Sequence, residues 1–277
     1  MSGAIRTADL HLHTTASDGQ YTPAQLVRLA KARGLEAAAI TDHDTTAGLK
    51  EAMQAGEKCG LRVIPGIELS AKEYPSLHIL GYGVSPDAPV LLDFCRRRRA
   101  WRDRRSERLL AFLLEQGVRL SLSEVAEIAG TAAIGRPHFA QAMVRRGYVS
   151  TNQEAFARYL DTQAYHAQVE QCKPTAQACI AAIMASGGKA SLAHPYQTGI
   201  HGDALDRLVA ALKDCGLSAI ECYYPKHTPE QQAFYLHLAE KYRLHPTGGS
   251  DFHGEKVKPD VELAALELDL SWLPDHP

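Results

Sequence analysis

Short apolar stretches alternate with amphipathic helical patterns along much of the chain. Strands are predicted over residues 8–12, 37–41, 61–66, 77–82, 189–193, 217–222, 243–248 and 262–270. Helical spacing of apolar residues separates most of them, as in the helix that follows Thr22-Pro23, where Thr is suited to the N-cap and Pro to the first helical position. This alternation predicts an α/β protein with mostly parallel strands.

Strand patterns are absent between residues 88 and 171, where apolar residues recur with helical spacing. Helices are predicted there over 91–116, 121–130, 136–146 and 153–160. We therefore predict a barrel domain formed by residues 1–87 and 172–277, interrupted by a helical insertion over 88–171 that caps the substrate site. The expected fold is a distorted (β/α)7-type barrel with a helical insertion.

Polar residues collect where the predicted strands end. They are Asp9-Leu10-His11-Leu12-His13, Thr41-Asp42-His43-Asp44, Glu68, His78, His194 and Asp251-Phe252-His253. In a parallel α/β barrel the carboxyl ends of the strands open on one face, and that face carries the active site. These side chains, far apart in sequence, are therefore expected to converge on one pocket.

The pair His11 and His13 is the clearest sign of a metal site. Side chains two residues apart on a strand point to the same side, so both imidazoles are placed to chelate one ion. A lone pair of this kind is more often an exposed strand edge. The histidines at other strand ends, His43, His194 and His253, favour the metal site instead.

Two acidic positions have more than one interpretation. Asp18 lies in the turn sequence Ser17-Asp18-Gly19, and taken alone it is more typical of a turn cap than of a metal ligand. Asp42 and Asp44 flank His43, where a carboxylate can orient a ligating imidazole without binding the ion itself.

Composition and charge exclude several classes of protein. Of 277 residues, 45% are hydrophobic and 22% charged, which is too apolar for a disordered chain. No apolar run approaches the roughly 20 residues that cross a bilayer. The net charge of −2 gives no argument for nucleic-acid or membrane binding, and no obligate protein partner is inferred. The 13 histidines are numerous for such a chain and agree with a metal site.

The six cysteines contain no C-x-x-C pair, so neither a zinc ribbon nor a dithiol redox site is expected. The amino terminus lacks a basic segment followed by an apolar one, as a secretory leader would have. We expect a reducing, cytoplasmic location.

The motifs DLHLH, SDG, TDHD, GIELS, HILGY, AHP and SDFH follow one another between Asp9 and His253. In this order they resemble the polymerase-and-histidinol-phosphatase (PHP) family of metal phosphoesterases. The resemblance implies three divalent ions, with manganese favoured and iron or zinc as alternatives, since mixed imidazole and carboxylate ligands suit these metals. It implies the following ligand sets: His11, His13 and Asp251 for one ion; Glu68 as a bridge to a second, completed by His78 and His194; Asp18, His43 and His253 for the third.

Clustered divalent ions lower the pKa of a bound water and neutralise a phosphoryl group under attack. A metal-held hydroxide is therefore the predicted nucleophile, with no covalent intermediate. The sequence identifies no general acid and no catalytic residue beyond the metal ligands.

The segment GRPHFAQAMVRRGYVSTNQEAFARYL, followed by Lys173-Pro174, resembles the stand-alone branch of the family. That branch acts on nucleoside 3′,5′-bisphosphates, and 5′-3′ trimming of short RNA is also attributed to it. The resemblance implies phosphate or nucleotide contacts from Arg136, His138 and Lys173, and a contact at the pocket rim from His227. From the residues alone, Arg136 fits a surface helix terminus equally well.

Eight arginines lie between Arg96 and Arg108: Arg96, Arg97, Arg98, Arg99, Arg102, Arg104, Arg105 and Arg108. A solvated helix with salt bridges is the favoured interpretation. A basic rim that attracts nucleotides is the alternative.

The leading hypothesis is a metal-dependent phosphomonoesterase that removes the 3′-phosphate of nucleoside 3′,5′-bisphosphates. A 5′-3′ exonuclease on short 5′-phosphorylated RNA is the second hypothesis, and histidinol phosphate phosphatase the third. A non-catalytic metal-binding module is the fourth, which the complete ligand set and the chain length disfavour.

Overall fold

The computed structural model describes residues 5–74, 76–130, 134–169 and 173–274. The chain divides into two compact units. Unit 1 takes its described residues from Met1–Cys95 and Pro174–Pro277, and unit 2 from Arg96–Lys173. The carboxyl-terminal boundary predicted for the insertion, between residues 171 and 172, lies outside the described residues.

Eight strands of unit 1 form one sheet. They are β1 (Ile5–Leu12), β2 (Ala37–Ile40), β3 (Arg62–Ser70), β4 (His78–Tyr82), β5 (Lys189–Leu192), β6 (Ala219–Tyr223), β7 (His245–Gly248) and β8 (Leu266–Asp269). The strand order is β7-β6-β5-β4-β3-β2-β1-β8, and the two edge strands approach each other. The sheet is therefore a nearly closed barrel, which confirms the predicted α/β barrel class with eight strands.

Strand direction explains how the barrel gathers its polar residues at one end. β1, β2 and β3 pair in parallel, as do β5, β6 and β7. β4 pairs antiparallel with β3 and β5, and β8 antiparallel with β1. The amino end of β4 therefore lies beside the carboxyl ends of its neighbours.

Two of the predicted strand positions need correction. His78 begins β4 rather than ending a strand, and the antiparallel direction of β4 is what brings it to the site. Strand β3 continues to Ser70, because its pairing with β4 extends it past the predicted end at Gly66. Glu68 therefore lies within β3, not after it.

The helices of the described residues are α1 (Pro23–Ala32), α2 (Leu49–Cys59), α3 (Pro89–Glu115), α4 (Leu122–Ala129), α5 (Arg136–Arg145), α6 (Asn152–Ala155), α7 (Gln163–Gln168), α8 (Ala176–Ala185), α9 (Gly202–Asp214) and α10 (Pro229–Tyr242). A π-helical turn, Phe156–Leu160, follows α6, and a 3-10 turn spans Pro195–Thr198. The Thr22 side chain caps α1 in a capping box with Gln25, as its sequence predicts.

Apolar residues cover both faces of the barrel sheet. Ala38 and Ile40 of β2 belong to the larger cluster, which includes Leu26 of α1 and Ile183 of α8. Alternate residues of β2 pack with Ile64, Leu80 and Tyr82 in a smaller cluster. Because successive strand residues face opposite sides, the first cluster joins sheet to helices and the second lies inside the barrel.

Unit 2 is helical and has its own core, built from residues of α3 to α7 such as Phe112, Phe139, Met143 and Tyr165. The helices predicted over 91–116, 121–130 and 136–146 match α3, α4 and α5 closely. The helix predicted over 153–160 is instead a short α6 and the π-helical turn, and α7 was not predicted.

Among the described residues, no disulfide joins the cysteines, which are Cys59, Cys95, Cys179, Cys215 and Cys222. Cys172 lies outside the described residues. Among the described helices, none combines the length and the apolar character needed to cross a membrane.

Candidate metal centre

Nine imidazole and carboxylate side chains meet at the end of the barrel predicted from the sequence. Ligand atoms of three or more of them lie within 4.8 Å of one another in four overlapping groups. The groups are His13, Asp18, His43 and His253; His11, Glu68 and His194; His11, His13 and Asp251; and His43, Glu68 and His78. All nine residues singled out in the sequence as metal ligands thus come together, and each belongs to at least one group.

Glu68 is at the centre of this cluster. Its Oε1 lies 2.7 Å from Nδ1 of His78 and 3.0 Å from Nε2 of His194. Its Oε2 faces three other imidazoles: Nδ1 of His43 at 3.0 Å, Nε2 of His13 at 3.2 Å and Nε2 of His11 at 3.4 Å. The two oxygens of one buried carboxylate therefore divide five imidazoles between them, an arrangement suited to bridging two cations.

Asp251 approaches the cluster from the loop after β7. Its Oδ1 lies 3.4 Å from Nε2 of His13, 3.7 Å from Nε2 of His11 and 3.3 Å from Nδ1 of His253. Asp251 adopts a φ of 58°, which is uncommon for a residue with a side chain. Gly249 lets this loop come close, because a Cβ there would stand 2.4 Å from Cβ of His11.

Asp18 occupies the outer side of the cluster. Its Oδ1 lies 3.4 Å from Nε2 of His253 and 3.6 Å from Nδ1 of His13, and its side chain is 44% exposed. Gly19 next to it lies against the His13 backbone, where a Cβ would stand 2.2 Å from the carbonyl oxygen. The turn therefore directs Asp18 towards the imidazoles in addition to bending the chain.

Several buried polar atoms of the cluster have no hydrogen-bond partner. Among the described residues these include Nε2 of His11, both ring nitrogens of His13, Nδ1 of His43, Nδ1 of His194 and Oε2 of Glu68. Buried polar atoms are almost always paired, so such a concentration requires an explanation. Divalent cations bound between these nitrogens and oxygens supply one, and the donor set suits them.

Charge coupling within the cluster is strong. Burial opposes ionisation of Glu68, but His43, His78 and His11 hold the pKa of its carboxyl well below the usual range. Burial also opposes protonation of His13, yet the facing carboxylates of Asp251 and Glu68 raise its pKa to about 9. For His43 burial prevails and lowers the pKa to about 4. The cluster thus balances its negative charge by protons in some imidazoles, which cations can replace.

A second set of carboxylates fixes the loops that carry these side chains. Asp9 is buried and accepts from the backbone N–H groups of His11, Ser250 and Ala264 and from the Ser250 hydroxyl. The four hydrogen bonds lower the pKa of Asp9, but burial has the larger effect and raises it to about 6. The loop of Asp251 is thereby tied to β1.

Asp42 does the same for the loop after β1. It accepts from the backbone N–H and the hydroxyl of Thr14, both at 2.7 Å, and from the Ser17 hydroxyl at 2.6 Å. It therefore orients the turn of Asp18 rather than the imidazole of His43, which the sequence had indicated as its partner. Asp44 is buried at a φ of 52°.

Three functional neighbours of the cluster were not recognised in the sequence. They are Glu221 on β6, Tyr224 just after it, and Lys258 in the loop that follows His253. For Glu221 a signal exists, since an acidic residue in the otherwise apolar strand AIECY must be buried and therefore paired. The loop position of Lys258 gives no comparable signal.

Residues 9–116 match the PHP domain. A phosphoribosyl 1,2-cyclic phosphate 1,2-diphosphodiesterase of Eggerthella lenta is 36% identical over 251 residues, which cover 89% of this chain and 94% of the relative. The chain belongs to the PHP family. The resemblance recognised in its motifs is confirmed.

Other relatives of this PHP protein cover it almost completely. A 5′-3′ exoribonuclease of Escherichia coli is 33% identical over 96% of this chain and 89% of its own length. A 3′,5′-nucleoside bisphosphate phosphatase of Chromobacterium violaceum is 31% identical over 88% of this chain and 86% of its own length. A solved structure described as a metal-dependent phosphoesterase, from Bifidobacterium adolescentis, superposes with a TM-score of 0.73 at 33% identity, covering 95% of this chain and 92% of its own.

These relatives are hydrolases of phosphoesters, and their family membership, together with the cluster, makes this PHP protein a metal-dependent phosphoesterase. The prediction of an enzyme, rather than of a non-catalytic metal-binding module, is confirmed.

Three of the four predicted substrate residues lie in unit 2 of the PHP protein. Arg136 donates to the carbonyl of Leu160 at 3.1 Å and to Oδ1 of Asp161 at 2.9 Å, and its guanidinium lies over the rings of Phe156 and Tyr165. Nδ1 of His138 accepts from the Gly135 backbone N–H at 3.0 Å. Both residues therefore have structural partners within unit 2. Lys173 ends this unit.

His227 lies in unit 1 next to the cluster. Its Nδ1 is 2.9 Å from the carbonyl oxygen of Cys222, and its ring packs among those of Tyr196, Tyr224 and Tyr235. The Tyr224 ring is in turn 6.0 Å from that of His194. The aromatic group around His227 thus adjoins the candidate metal centre.

The arginine-rich segment forms the middle of α3. Arg98 is 5% exposed, and the guanidinium groups of Arg98 and Arg105 lie 4.9 and 5.4 Å from the ring centre of Trp101. Nε of Arg104 donates to the carbonyl of Ala100. The side chain of Arg102 lies outside the described residues. Part of this positive charge is therefore packed against the helix itself.

Proposed function

We propose that this PHP enzyme hydrolyses the bond between phosphorus and O3′ in nucleotides that carry a 5′-phosphate, with nucleoside 3′,5′-bisphosphates as its principal substrates. The observation that carries the proposal is the division of five imidazoles between the two oxygens of Glu68. Such a cluster is suited to holding adjacent cations, and adjacent cations are suited to phosphoester hydrolysis.

The proposed ligand set comprises three divalent ions, with manganese favoured. His11, His13 and Asp251 would hold one ion, Glu68 would bridge it to a second ion held with His78 and His194, and Asp18, His43 and His253 would hold the third. The four groups of converging ligand atoms support this set. When bound, such ions lower the pKa of water and neutralise charge on a phosphoryl group.

The protein's own residues would prepare that site in two ways. Asp9 and Asp42 hold the loops of Asp251 and Asp18 in place through six hydrogen bonds, so the ligands are preorganised before an ion binds. Lys258 keeps an ammonium group at the rim, within 2.7 Å of Asp251, where it would attract an anionic substrate.

The choice of substrate draws on the relatives. The relative from Chromobacterium violaceum is named a 3′,5′-nucleoside bisphosphate phosphatase, and the one from Escherichia coli a 5′-3′ exoribonuclease. Both activities break the same phosphorus–O3′ bond next to a nucleotide with a 5′-phosphate, and they differ only in what the scissile phosphate carries beyond that bond. The exonuclease activity is therefore the second candidate. In either case Arg136, His138, Lys173 and His227 are the proposed phosphate or nucleotide contacts.

Four substrates separate these activities in one assay of the manganese-loaded protein. They are adenosine 3′,5′-bisphosphate, a 5′-phosphorylated diribonucleotide, phosphoribosyl 1,2-cyclic phosphate and an aryl phosphate. We expect kcat/KM to be highest for the bisphosphate and at least about 100-fold above that for the aryl phosphate, a difference of roughly 3 kcal/mol in transition-state binding.

Faster turnover of the diribonucleotide would favour the exonuclease, especially if the activity on this substrate decreased steeply as salt was added. Faster turnover of the cyclic phosphate would assign the activity named for the Eggerthella lenta relative. Equal turnover of bisphosphate and aryl phosphate would refute the proposed substrate class. Histidinol phosphate, included as a fifth substrate, tests the remaining hypothesis.

A further inference from the structure

Glu221 is a fully buried carboxylate that touches two of the proposed metal ligands but belongs to none of the ligand groups. It lies on β6, between the strand that carries His194 at its end and the loop of Asp251. Its Oε1 is 3.1 Å from Nδ1 of His11, and its Oε2 accepts the backbone N–H of His194 at 2.6 Å. One side chain therefore joins ligands from two different strands.

The contact with His11 determines which ring nitrogen faces the cluster. Nε2 of His11 lies 3.4 Å from Oε2 of Glu68 and 3.7 Å from Oδ1 of Asp251, and it has no hydrogen-bond partner. A neutral imidazole binds a cation through the nitrogen that carries no proton. With Glu221 accepting the proton of Nδ1, Nε2 is the nitrogen left to bind the ion.

The contact with His194 stabilises an unfavourable backbone conformation. His194 has φ 23° and ψ 67°, outside the regions that residues with a Cβ prefer, and it precedes Pro195, which restricts it further. This conformation turns its ring so that Nε2 lies 3.0 Å from Oε1 of Glu68. A charge-assisted hydrogen bond to its N–H offsets part of the strain.

We propose that Glu221 is a positioning residue that sets the tautomer of His11 and the orientation of His194 together, and so controls cation affinity on this side of the cluster. The inference rests on the ligand set under the proposed function. Only a carboxylate satisfies both partners, since both are donors. An amide can accept a hydrogen bond only through its oxygen. If that oxygen accepts from the His194 N–H, the amide NH2 faces His11, so Nδ1 of His11 has to accept a hydrogen bond and Nε2 has to carry the proton.

The substitution Glu221→Gln tests this role without changing side-chain size. Zinc is added to the metal-free protein, binding is followed by calorimetry, and the imidazole nitrogens are observed by 15N NMR. We expect zinc binding through His11 and His194 to weaken by about 10- to 100-fold. His43 and His253, which do not contact Glu221, should respond to zinc as in the wild type and so report that the site still folds.

Glu267→Gln is the matched control, because Glu267 undergoes the same chemical change on the exposed side of β8, where it accepts from the Thr7 hydroxyl. It should leave every zinc affinity unchanged. If Glu221→Gln bound zinc through His11 with the same affinity as the wild type, the inference would be overturned. The inference would also be overturned if 15N NMR of the zinc-loaded wild type showed that His11 binds the ion through Nδ1. This measurement does not depend on the folding of any variant. A wild-type chain that binds no zinc or manganese would refute the ligand set itself, whatever Glu221 does.

Discussion

Lys258 donates to Oδ2 of Asp251 at 2.7 Å, leaving Oδ1 to face the imidazoles of the cluster. The Tyr224 hydroxyl donates to the same Oδ2 at 3.1 Å. One oxygen of this carboxylate is thus held by protein donors, and the other is directed to the proposed ion. The Lys258 ammonium is therefore placed within a few ångströms of the position where a cation would bind.

Replacing Lys258 by methionine should therefore raise the affinity for divalent cations. Two charges about 6 Å apart near a protein surface repel by a few kcal/mol at most, and screening reduces this, so we expect roughly a threefold to tenfold gain. Calorimetry with manganese measures it directly. Lys256→Met, which removes the same charge from an exposed position two residues away, is the control. An unchanged or lower affinity in Lys258→Met would contradict the prediction.

Lys258→Met should impair catalysis, although it is expected to strengthen metal binding. If Lys258 attracts the anionic substrate, its loss should raise KM for adenosine 3′,5′-bisphosphate at saturating manganese by about tenfold, and added salt should narrow the difference from wild type. A KM equal to that of Lys256→Met at low salt would show that the ammonium serves Asp251 alone.

Substitution of Glu68 by glutamine should strongly weaken binding of the two ions that Glu68 would bridge, and should abolish turnover. The amide keeps the size of the side chain but removes the negative charge that five imidazoles surround. Its NH2 group cannot bind a cation. We expect kcat/KM to fall by about 10³-fold or more. Metal content after dialysis and turnover of the bisphosphate are the measurements, with Glu267→Gln as control. Retention of a full complement of ions would contradict the central role given to Glu68.

Zinc affinity should rise with pH up to about 9. Burial opposes protonation of His13 in the metal-free protein, but Asp251 and Glu68 raise its pKa to about 9. Below that pKa a cation must displace a proton from His13, and above it none has to leave His13, so this single group costs up to about tenfold in affinity per pH unit below 9. Calorimetry at pH 7 in buffers of different ionisation enthalpy counts the protons released. Binding at pH 7 without proton release would contradict the prediction.

The nine clustered side chains were recognisable in the sequence because local rules place them. Strand periodicity puts His11 and His13 on one side, and the parallel barrel brings strand ends to one face. The direction of β4 follows no such rule, since it depends on how Glu68 and Leu80 pair across two strands. His78 therefore joins the cluster as expected, but from the beginning of its strand rather than from the end.

The residues that orient the ligands were mostly not predictable, because their roles arise from contacts distant in sequence. Asp9 meets Ser250 across 241 positions, and Glu221 meets His11 across 210. Nothing local distinguishes these carboxylates from metal ligands, and nothing local distinguishes Asp9 from a surface charge. Only the apolar setting of Glu221 could have drawn attention to it.

Arg136 allows a last prediction, because its structural role and its proposed substrate role can be separated. Its guanidinium is paired with Asp161 and lies over two aromatic rings of unit 2. Arg136→Ala should lower the free energy of unfolding by about 1–3 kcal/mol through the lost hydrogen bonds and cation–π contacts. It should also raise KM for the bisphosphate strongly while leaving the metal content unchanged.

Asp161→Asn is the informative comparison, since it weakens the pairing of Arg136 but retains the guanidinium. If Arg136 binds phosphate, this variant should lose some stability yet keep KM within about twofold of wild type, because Arg136 still presents donors suited to an oxyanion. Thermal unfolding and steady-state kinetics on both variants decide the matter. If KM instead rises in both variants in proportion to their loss of stability, Arg136 contributes only to the packing of unit 2.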